Sequence, residues 1–262
     1  MNRRALITGA SSGIGKELAG VFAKNGWDLV LVSRNAQKLR DLAEELSRAF
    51  SISAEAFAAD LSKPGEPERL FRELSSRSVH ADALVNNAGI GLFGPFWKTP
   101  TEAEDELLSL NIDALTKLTR LFLGPMLDRR QGYILNVAST AAFQPGPLMA
   151  VYYASKAYVL SFSIALADEL RGKGVSVTVL CPGATVTGFQ ERARMKGSKL
   201  FKHHAMDARR VAEEGYRGMM KKKKVTIPGV KNQIMAFSTR LAPRPLAARI
   251  ARWVQEIDKS PF

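Results

Sequence analysis

The order in which short apolar runs alternate with longer helical patterns constrains this chain more than any other feature. Arg4-Ala5-Leu6-Ile7-Thr8 reads as a strand, and Leu18, Ala19, Phe22 and Ala23 mark a helix behind it. Trp27 to Val32 is a second strand, Gln37 to Phe50 is helical, and Ala54 to Ala59 is a weaker third strand. Asp82 to Asn86, Tyr133 to Val137 and Val175 to Leu180 are further apolar runs with the continuous character of strands buried on both faces. Val225-Thr226-Ile227 is a short last one. Helical stretches separate nearly all of them, and this alternation predicts an α/β fold with a doubly wound parallel sheet and right-handed crossovers. No repeat or long linker divides the chain, so we expect one domain over residues 1–230 and a helical extension over 231–262.

A length of 262 residues, 46% of them hydrophobic, suffices for a large core, and a single cysteine excludes a disulfide scaffold. No run of about 18 apolar residues suggests a spanning helix, and the apolar run after Met1-Asn2-Arg3-Arg4 is cut too early by Gly9 for a signal peptide. A cytoplasmic location is the expectation. The charge is less ordinary: of a net +13, residues 190–262 carry +12. The chain is therefore a nearly neutral body with a basic end.

The first strand runs into Thr8-Gly9-Ala10-Ser11-Ser12-Gly13-Ile14-Gly15 and then a helix. Glycines allow the tight turn and the approach of backbone to a pyrophosphate, and the helix N-terminus adds unpaired N–H groups. At the end of the second strand, Leu31-Val32-Ser33-Arg34 lacks the carboxylate that usually binds an NAD ribose. Arg34 suits a 2′-phosphate instead, so NADP(H) is the expected cofactor; the competing reading is a solvated loop arginine.

Tyr152 and Lys156 in Tyr152-Tyr153-Ala154-Ser155-Lys156 share a helix face. A phenol near pKa ~10 exchanges protons poorly at neutrality, and a neighbouring ammonium stabilises its anion. Ser139 follows the Tyr133–Val137 strand at the carboxyl edge, where open α/β sheets bind ligands. Alone, a Tyr-x-x-x-Lys spacing is most often incidental.

Together these residues resemble the short-chain dehydrogenase/reductase family over roughly residues 3–230. The resemblance rests on Thr8-Gly9-x-x-x-Gly13-x-Gly15, Asp60-Leu61, Asn86-Asn87-Ala88-Gly89, Asn111, Ser139, Tyr152-x-x-x-Lys156 and Pro182-Gly183 with Thr187 beyond, in that order. It implies a seven-stranded Rossmann sheet and hydride transfer between a nicotinamide and a carbonyl or alcohol. Tyr152 would be the proton donor and acceptor, Lys156 would lower its pKa, Ser139 would orient the carbonyl, and Asn111 would hold a relay water. Gly9, Ser11, Ser12, Gly13, Ile14, Gly15, Arg34, Asp60, Leu61, Asn87, Pro182, Gly183, Thr185 and Thr187 would bind the cofactor with Tyr152 and Lys156. Ala184-Thr185-Val186 departs from the family in being more polar at its centre. The resemblance extends to a bacterial ketoacyl reductase-like or hydroxysteroid dehydrogenase-like subgroup, and implies a homodimer or homotetramer.

Other features bear on substrate and partners. Residues 188–206 mix cations with Phe189, Met195, Leu200 and Phe201, and an apolar run follows Ser139, which suits an apolar ketone or ketoacyl compound. Phe93, Phe96 and Trp97 are either core or substrate entrance. The histidines His80, His203 and His204 lack the spacing of a metal site. In the extension, Ile234, Met235, Phe237 and Leu241 suggest a short helix before Pro243 and Pro245. Leu246, Ile250, Trp253, Val254 and Ile257 then form an apolar stripe opposite Arg249 and Arg252, which docks on protein or on an anionic membrane surface. No nucleic-acid module accompanies the basic charge. The alternative to an enzyme is an NADP(H)-binding redox sensor or scaffold, which would have no use for Asn111, Ser139, Tyr152 and Lys156 together.

Overall fold

The structure is a computed structural model that describes residues 2–193, 205–239 and 243–255. The expected strands are present to within a residue or so. They are β1 (Arg4–Thr8), β2 (Asp28–Ser33), β3 (Ala54–Ala58), β4 (Ala83–Asn86), β5 (Gly132–Val137), β6 (Val175–Leu180) and β7 (Val225–Thr226). They form one seven-stranded sheet in the order β3-β2-β1-β4-β5-β6-β7, every pair parallel. The chain winds outward from β1 to β3, then returns to place β4 on the other side of β1. This reversal opens a crevice at the carboxyl ends of β1 and β4, and α/β sheets bind ligands there.

Helices α1 (Gly13–Lys24), α2 (Ala36–Phe50) and α8 (Ala208–Met220) share a hydrophobic layer with one side of the sheet. Helices α3 (Glu66–Ser76), α5 (Leu115–Asp128) and α6 (Ala150–Glu169) share the other. Removing one large aliphatic side chain from water contributes about 1.5–3 kcal/mol, so the two layers explain why the central strands carry apolar residues on both faces. Trp27 is fully buried, edge-on to Phe22, and donates through Nε1 to the Tyr216 hydroxyl at 3.1 Å.

Helix α6 carries Tyr152 and Lys156, so its placement matters. It has 20 residues and by length and composition is apolar enough to cross a membrane. Its inner face is instead pinned to the sheet by a buried polar chain. Asn86 Nδ2 donates to Asn136 Oδ1 at 2.9 Å, and Asn136 Nδ2 donates to Ser163 Oγ at 2.9 Å. Val159 and Ser163 are fully buried while Ala154, Ala157, Tyr158 and Ile164 on the outer face are exposed.

Helix α4 (Thr101–Leu108) continues into α5 through a single π-type turn, Ser109–Ala114. The wider turn shifts the helix register and points Asn111 inward, where it is buried. Beyond the sheet, α7 (Phe189–Arg192) leads towards the segment expected to cover the substrate. Most of that segment, including Met195, Leu200, Phe201, His203 and His204, lies outside the described residues, as do Leu241 and Ile257.

The extension forms α9 (Val230–Ser238) and α10 (Arg244–Gln255), the second starting between Pro243 and Pro245 as the sequence implies. Its seating turns most of the apolar stripe outward. Helix α10 docks through Ala247, Ala251 and Gln255, which are buried, and leaves Leu246, Ile250 and Trp253 exposed. The reason is space: Gln255 reaches the Tyr153 hydroxyl, and only small side chains on the same face let the helix come that close.

Candidate active site

A cavity of about 540 Å³ runs along the carboxyl edge of the sheet. At one end is the glycine turn. Gly9 has φ +67°, and a Cβ there would lie 2.8 Å from Asn87 Nδ2 and 2.9 Å from Ala88 Cα. A Cβ on Gly15 would lie 2.3 Å from the Gly9 carbonyl oxygen. Both positions therefore need glycine so that the turn can close on β4 and on itself. Ser12 sits at the N-cap of α1 with extended backbone, and its side chain makes no capping bond. Ser11, Ser12, Gly13 and Ile14 line the cavity there, so the positive end of α1 is turned to whatever fills it.

The turn after β4 is tied to the same place. Thr8 Oγ1 accepts from the backbone N–H groups of Asn87 and Ala88, both at 3.0 Å, and Asn87 Nδ2 donates to the Thr8 carbonyl at 2.9 Å. Asp60 and Leu61 line the adjoining wall, with Asp60 Oδ1 accepting from the Ser62 hydroxyl at 2.7 Å. At the far corner lie Ser33, Arg34, Asn35 and Lys38. Asn35 caps α2 by accepting from the Lys38 N–H at 3.0 Å, so two cations and a helix N-terminus meet where the sequence alone offered Arg34. Lys38 was missed, although its position four residues after Arg34 is the signal. Arg34 also pairs with Glu106 at 2.9 Å.

At the other end are the proton-handling groups. Ser139 follows β5, and its Oγ accepts from the Ala141 N–H at 3.1 Å. Tyr152 lies beside it, packed on Phe189 with ring centroids 5.5 Å apart. Burial pushes the Tyr152 phenol up to about 12, opposed by its hydrogen bond with Ser139. Lys156 is buried, donates from Nζ to the Val137 carbonyl at 3.1 Å, and has its Nζ 5.8 Å from the centroid of the Tyr152 ring. Burial lowers its pKa to about 8. For both groups burial is the larger cause, and it favours the neutral form of each.

Of the residues singled out in the sequence, Gly9, Ser11, Ser12, Gly13, Ile14, Arg34, Asp60, Leu61 and Asn87 line this one cavity, as do Ser139, Tyr152, Lys156, Pro182, Gly183, Thr185 and Thr187. Gly15 and Asn111 do not. Gly15 supports the turn from behind. Asn111 clasps Ile90, accepting from its N–H at 3.0 Å and donating to its carbonyl at 2.9 Å, and its other amide proton goes to Ser155 Oγ at 3.1 Å. The Asn111 side chain thus holds the loop after β4 against α6. Thr185 Oγ1 donates to the Gly183 carbonyl at 2.9 Å, and the loop after β6 is braced by main-chain bonds between Ala184, Val186 and Met206.

Other residues complete the lining. Met149 and Tyr153 belong to a small apolar cluster with Ala141 and Ala193, against which Phe93 packs. Phe96 and Trp97 are exposed and do not line this cavity. Met235, Ala247, Ile250, Ala251 and Val254 form an outer wall from α9 and α10. Cys181 is buried, and its thiol is pushed up to about 12 by that burial, as an inert core thiol would be.

A parallel sheet whose switch point holds a glycine turn, with a serine, a tyrosine and a lysine at the opposite end of one cleft, defines a dinucleotide-binding α/β protein of Rossmann type. The short chain dehydrogenase family model matches residues 3–197, and the chain belongs to that family. It is 37% identical over 201 residues to 17-beta-hydroxysteroid dehydrogenase type 3 of Mus musculus, covering 76% of this chain and 65% of that protein. It is 36% identical over 184 residues to the very-long-chain 3-oxoacyl-CoA reductase of Anas platyrhynchos, covering 68% and 58%. The chain thus spans about three fifths of the length of these relatives. Among solved structures, a short-chain dehydrogenase from Sphingobium yanoikuyae in complex with NADPH superposes with a TM-score of 0.83 at 32% identity, covering 91% of this chain and 93% of that one.

Proposed function

We propose that the protein is an NADP(H)-dependent oxidoreductase that interconverts an apolar carbonyl compound and its alcohol. The observation that carries this reading is the meeting of Ser139, Tyr152 and Lys156 at one end of a cavity whose other end is the open N-terminus of α1. The glycine turn fits a pyrophosphate because its backbone is bare and its helix end uncapped. The nicotinamide, when bound, supplies or accepts the hydride. The chain's own residues manage the oxygen. Ser139 holds the carbonyl oxygen, and Tyr152, kept protonated by burial, gives it a proton as negative charge develops. Lys156 then faces the phenolate that remains, and its ammonium stabilises it.

Arg34 and Lys38 at the start of α2, with no carboxylate among the neighbouring Ser33 and Asn35, favour a 2′-phosphate. Arg34→Asp is expected to reduce the preference for NADPH over NADH by about 10–100-fold, since a charge-assisted hydrogen bond contributes about 1.5–3 kcal/mol. Fluorescence titration with both nucleotides measures it, and an unchanged ratio would remove Arg34 from the cofactor site.

The outer wall of Met235, Ala247, Ile250, Ala251 and Val254 carries no charge and suits an extended hydrocarbon or fused-ring ketone. The names of the hydroxysteroid and very-long-chain 3-oxoacyl relatives support that substrate class. Ala251→Phe is expected to lower kcat/KM for a bulky ketone about tenfold relative to a short one, because overfilling a packed wall costs about 1–3 kcal/mol. Equal effects on both ketones would place the substrate elsewhere. A panel of ketones and ketoacyl thioesters, followed by NADPH absorbance, tests the activity itself.

The exposed outer face of α6, bearing Ala154, Ala157, Tyr158 and Ile164, supports association into a homodimer or homotetramer. Tyr158 is already tied to α5, its hydroxyl 3.0 Å from Thr116 Oγ1, so the two helices would present one face. A cytoplasmic setting suits the reduced, buried Cys181.

A further inference from the structure

The two helices after β7 turn their large apolar side chains outward. Val230, Ile234 and Phe237 on α9, and Leu246, Ile250 and Trp253 on α10, are each between 49 and 70% exposed. In both helices the spacing is four then three residues, which places each triplet on one face. The inward positions are taken by the small Ala236, Ala247 and Ala251. This inverts the usual arrangement, in which a docked helix buries its large apolar residues and exposes its small ones.

Both helices also wall the same cavity, α9 through Met235, Ser238 and Thr239, and α10 through Ala247, Ile250, Ala251 and Val254. Ile250 is at once half exposed and part of the cavity wall, so the outer apolar strip is continuous with the cavity lining. Charge selects what covers it. Residues 230–255 contain Lys231, Arg240, Arg244, Arg249 and Arg252 and no Asp or Glu. A second copy of this chain on the same face would set cations against cations, whereas an anionic lipid surface complements both the apolar strip and the basic charge.

We propose that α9 and α10 seat the protein on an anionic bilayer, with the mouth of the cavity against the acyl chains, so that an apolar substrate enters from the membrane. The lipid contact stands on the helices alone; the entry route rests on the carbonyl chemistry proposed above.

The test is co-sedimentation of the full chain with phosphatidylcholine vesicles, with and without phosphatidylglycerol. The protein is expected to pellet with the anionic vesicles and to remain largely in solution with the neutral ones. Ile234→Asp with Phe237→Asp should reduce pelleting by about tenfold or more, with NADPH affinity in solution unchanged as the sign of an intact fold. Arg249→Glu should weaken pelleting with anionic vesicles only. Wild-type protein that stays in the supernatant, or pellets equally with the double variant, overturns the proposal. A dimer in size-exclusion chromatography that the double variant breaks overturns it too, and gives the face to a second copy. For the entry route, vesicles should raise turnover of a membrane-partitioned ketone by the wild type and not by the double variant. A water-soluble ketone should be reduced equally by both. Failure with the soluble ketone counts against the carbonyl chemistry, while the pelleting result judges the lipid contact separately.

Discussion

Tyr152→Phe is expected to lower kcat by about 10²–10⁴-fold, the range lost when a positioned proton donor is removed, while NADPH binds as before. The ring keeps its packing on Phe189 and its place in the small apolar cluster with Met149 and Tyr153, so the substitution deletes one hydroxyl and little else. The glycine turn and the N-terminus of α1, which would hold the cofactor's phosphates, are at the other end of the cavity. Single-turnover measurements with saturating NADPH separate binding from chemistry. A variant retaining more than about a tenth of wild-type turnover would mean that the proton comes from elsewhere. Tyr153 is the nearest alternative, but its hydroxyl is engaged by Gln255 and its own pKa is raised by burial.

Lys156→Met should abolish most turnover and yet make the protein more stable at neutral pH. Burial lowers the Lys156 pKa from 10.5 to about 8, a difference equivalent to about 3 kcal/mol against the charged folded form. Loss of the bond to the Val137 carbonyl returns about 1 kcal/mol. The net gain of about 2 kcal/mol corresponds to a rise in Tm of about 4–8 °C for a chain of this size. The direction with pH follows from a folded pKa below the unfolded one. The cost is fully present below pH about 8 and is relieved as pH rises from about 8 towards 10.5, so the advantage of the variant should fade over that interval. Wild-type reduction should decline over the same rise, because the ammonium that stabilises the phenolate is then lost. Thermal melts of both proteins at pH 7 and 10.5 measure the first effect, and a pH–rate profile the second. Equal melting temperatures at pH 7 would show that Lys156 bears no desolvation cost.

The strands were legible in the sequence because a parallel sheet covered on both faces demands predominantly apolar runs, and β1 and β6 appear at the residues read from the pattern. The glycine turn was legible because backbone crowding leaves no alternative residue at Gly9 and Gly15. What the sequence hid depends on distances between elements. The spacing of Tyr152 and Lys156 says that they share a helix face. It cannot say how far burial favours the neutral form of each group. Asn111 was recognisable, but the π-type turn that swings it onto Ile90 leaves no mark in composition. The outward stripe of α10 was readable as amphipathic, and its inner contact was not. Three side chains that looked like mere spacers, Ala247, Ala251 and Gln255, are the ones that dock.

That docking has a consequence for the order in which the molecule acquires its abilities during synthesis. All seven strands and the glycine turn are complete by Thr226, and the outer wall is added by residues 230–255. Because a nascent chain leaves the ribosome N-terminus first, the sheet and its glycine turn can assemble before the outer wall of the cavity has been translated. The strands and glycine turn of the cleft and its outer wall are therefore encoded in separate stretches of the gene, so that mutation can alter the wall with the glycine turn left untouched.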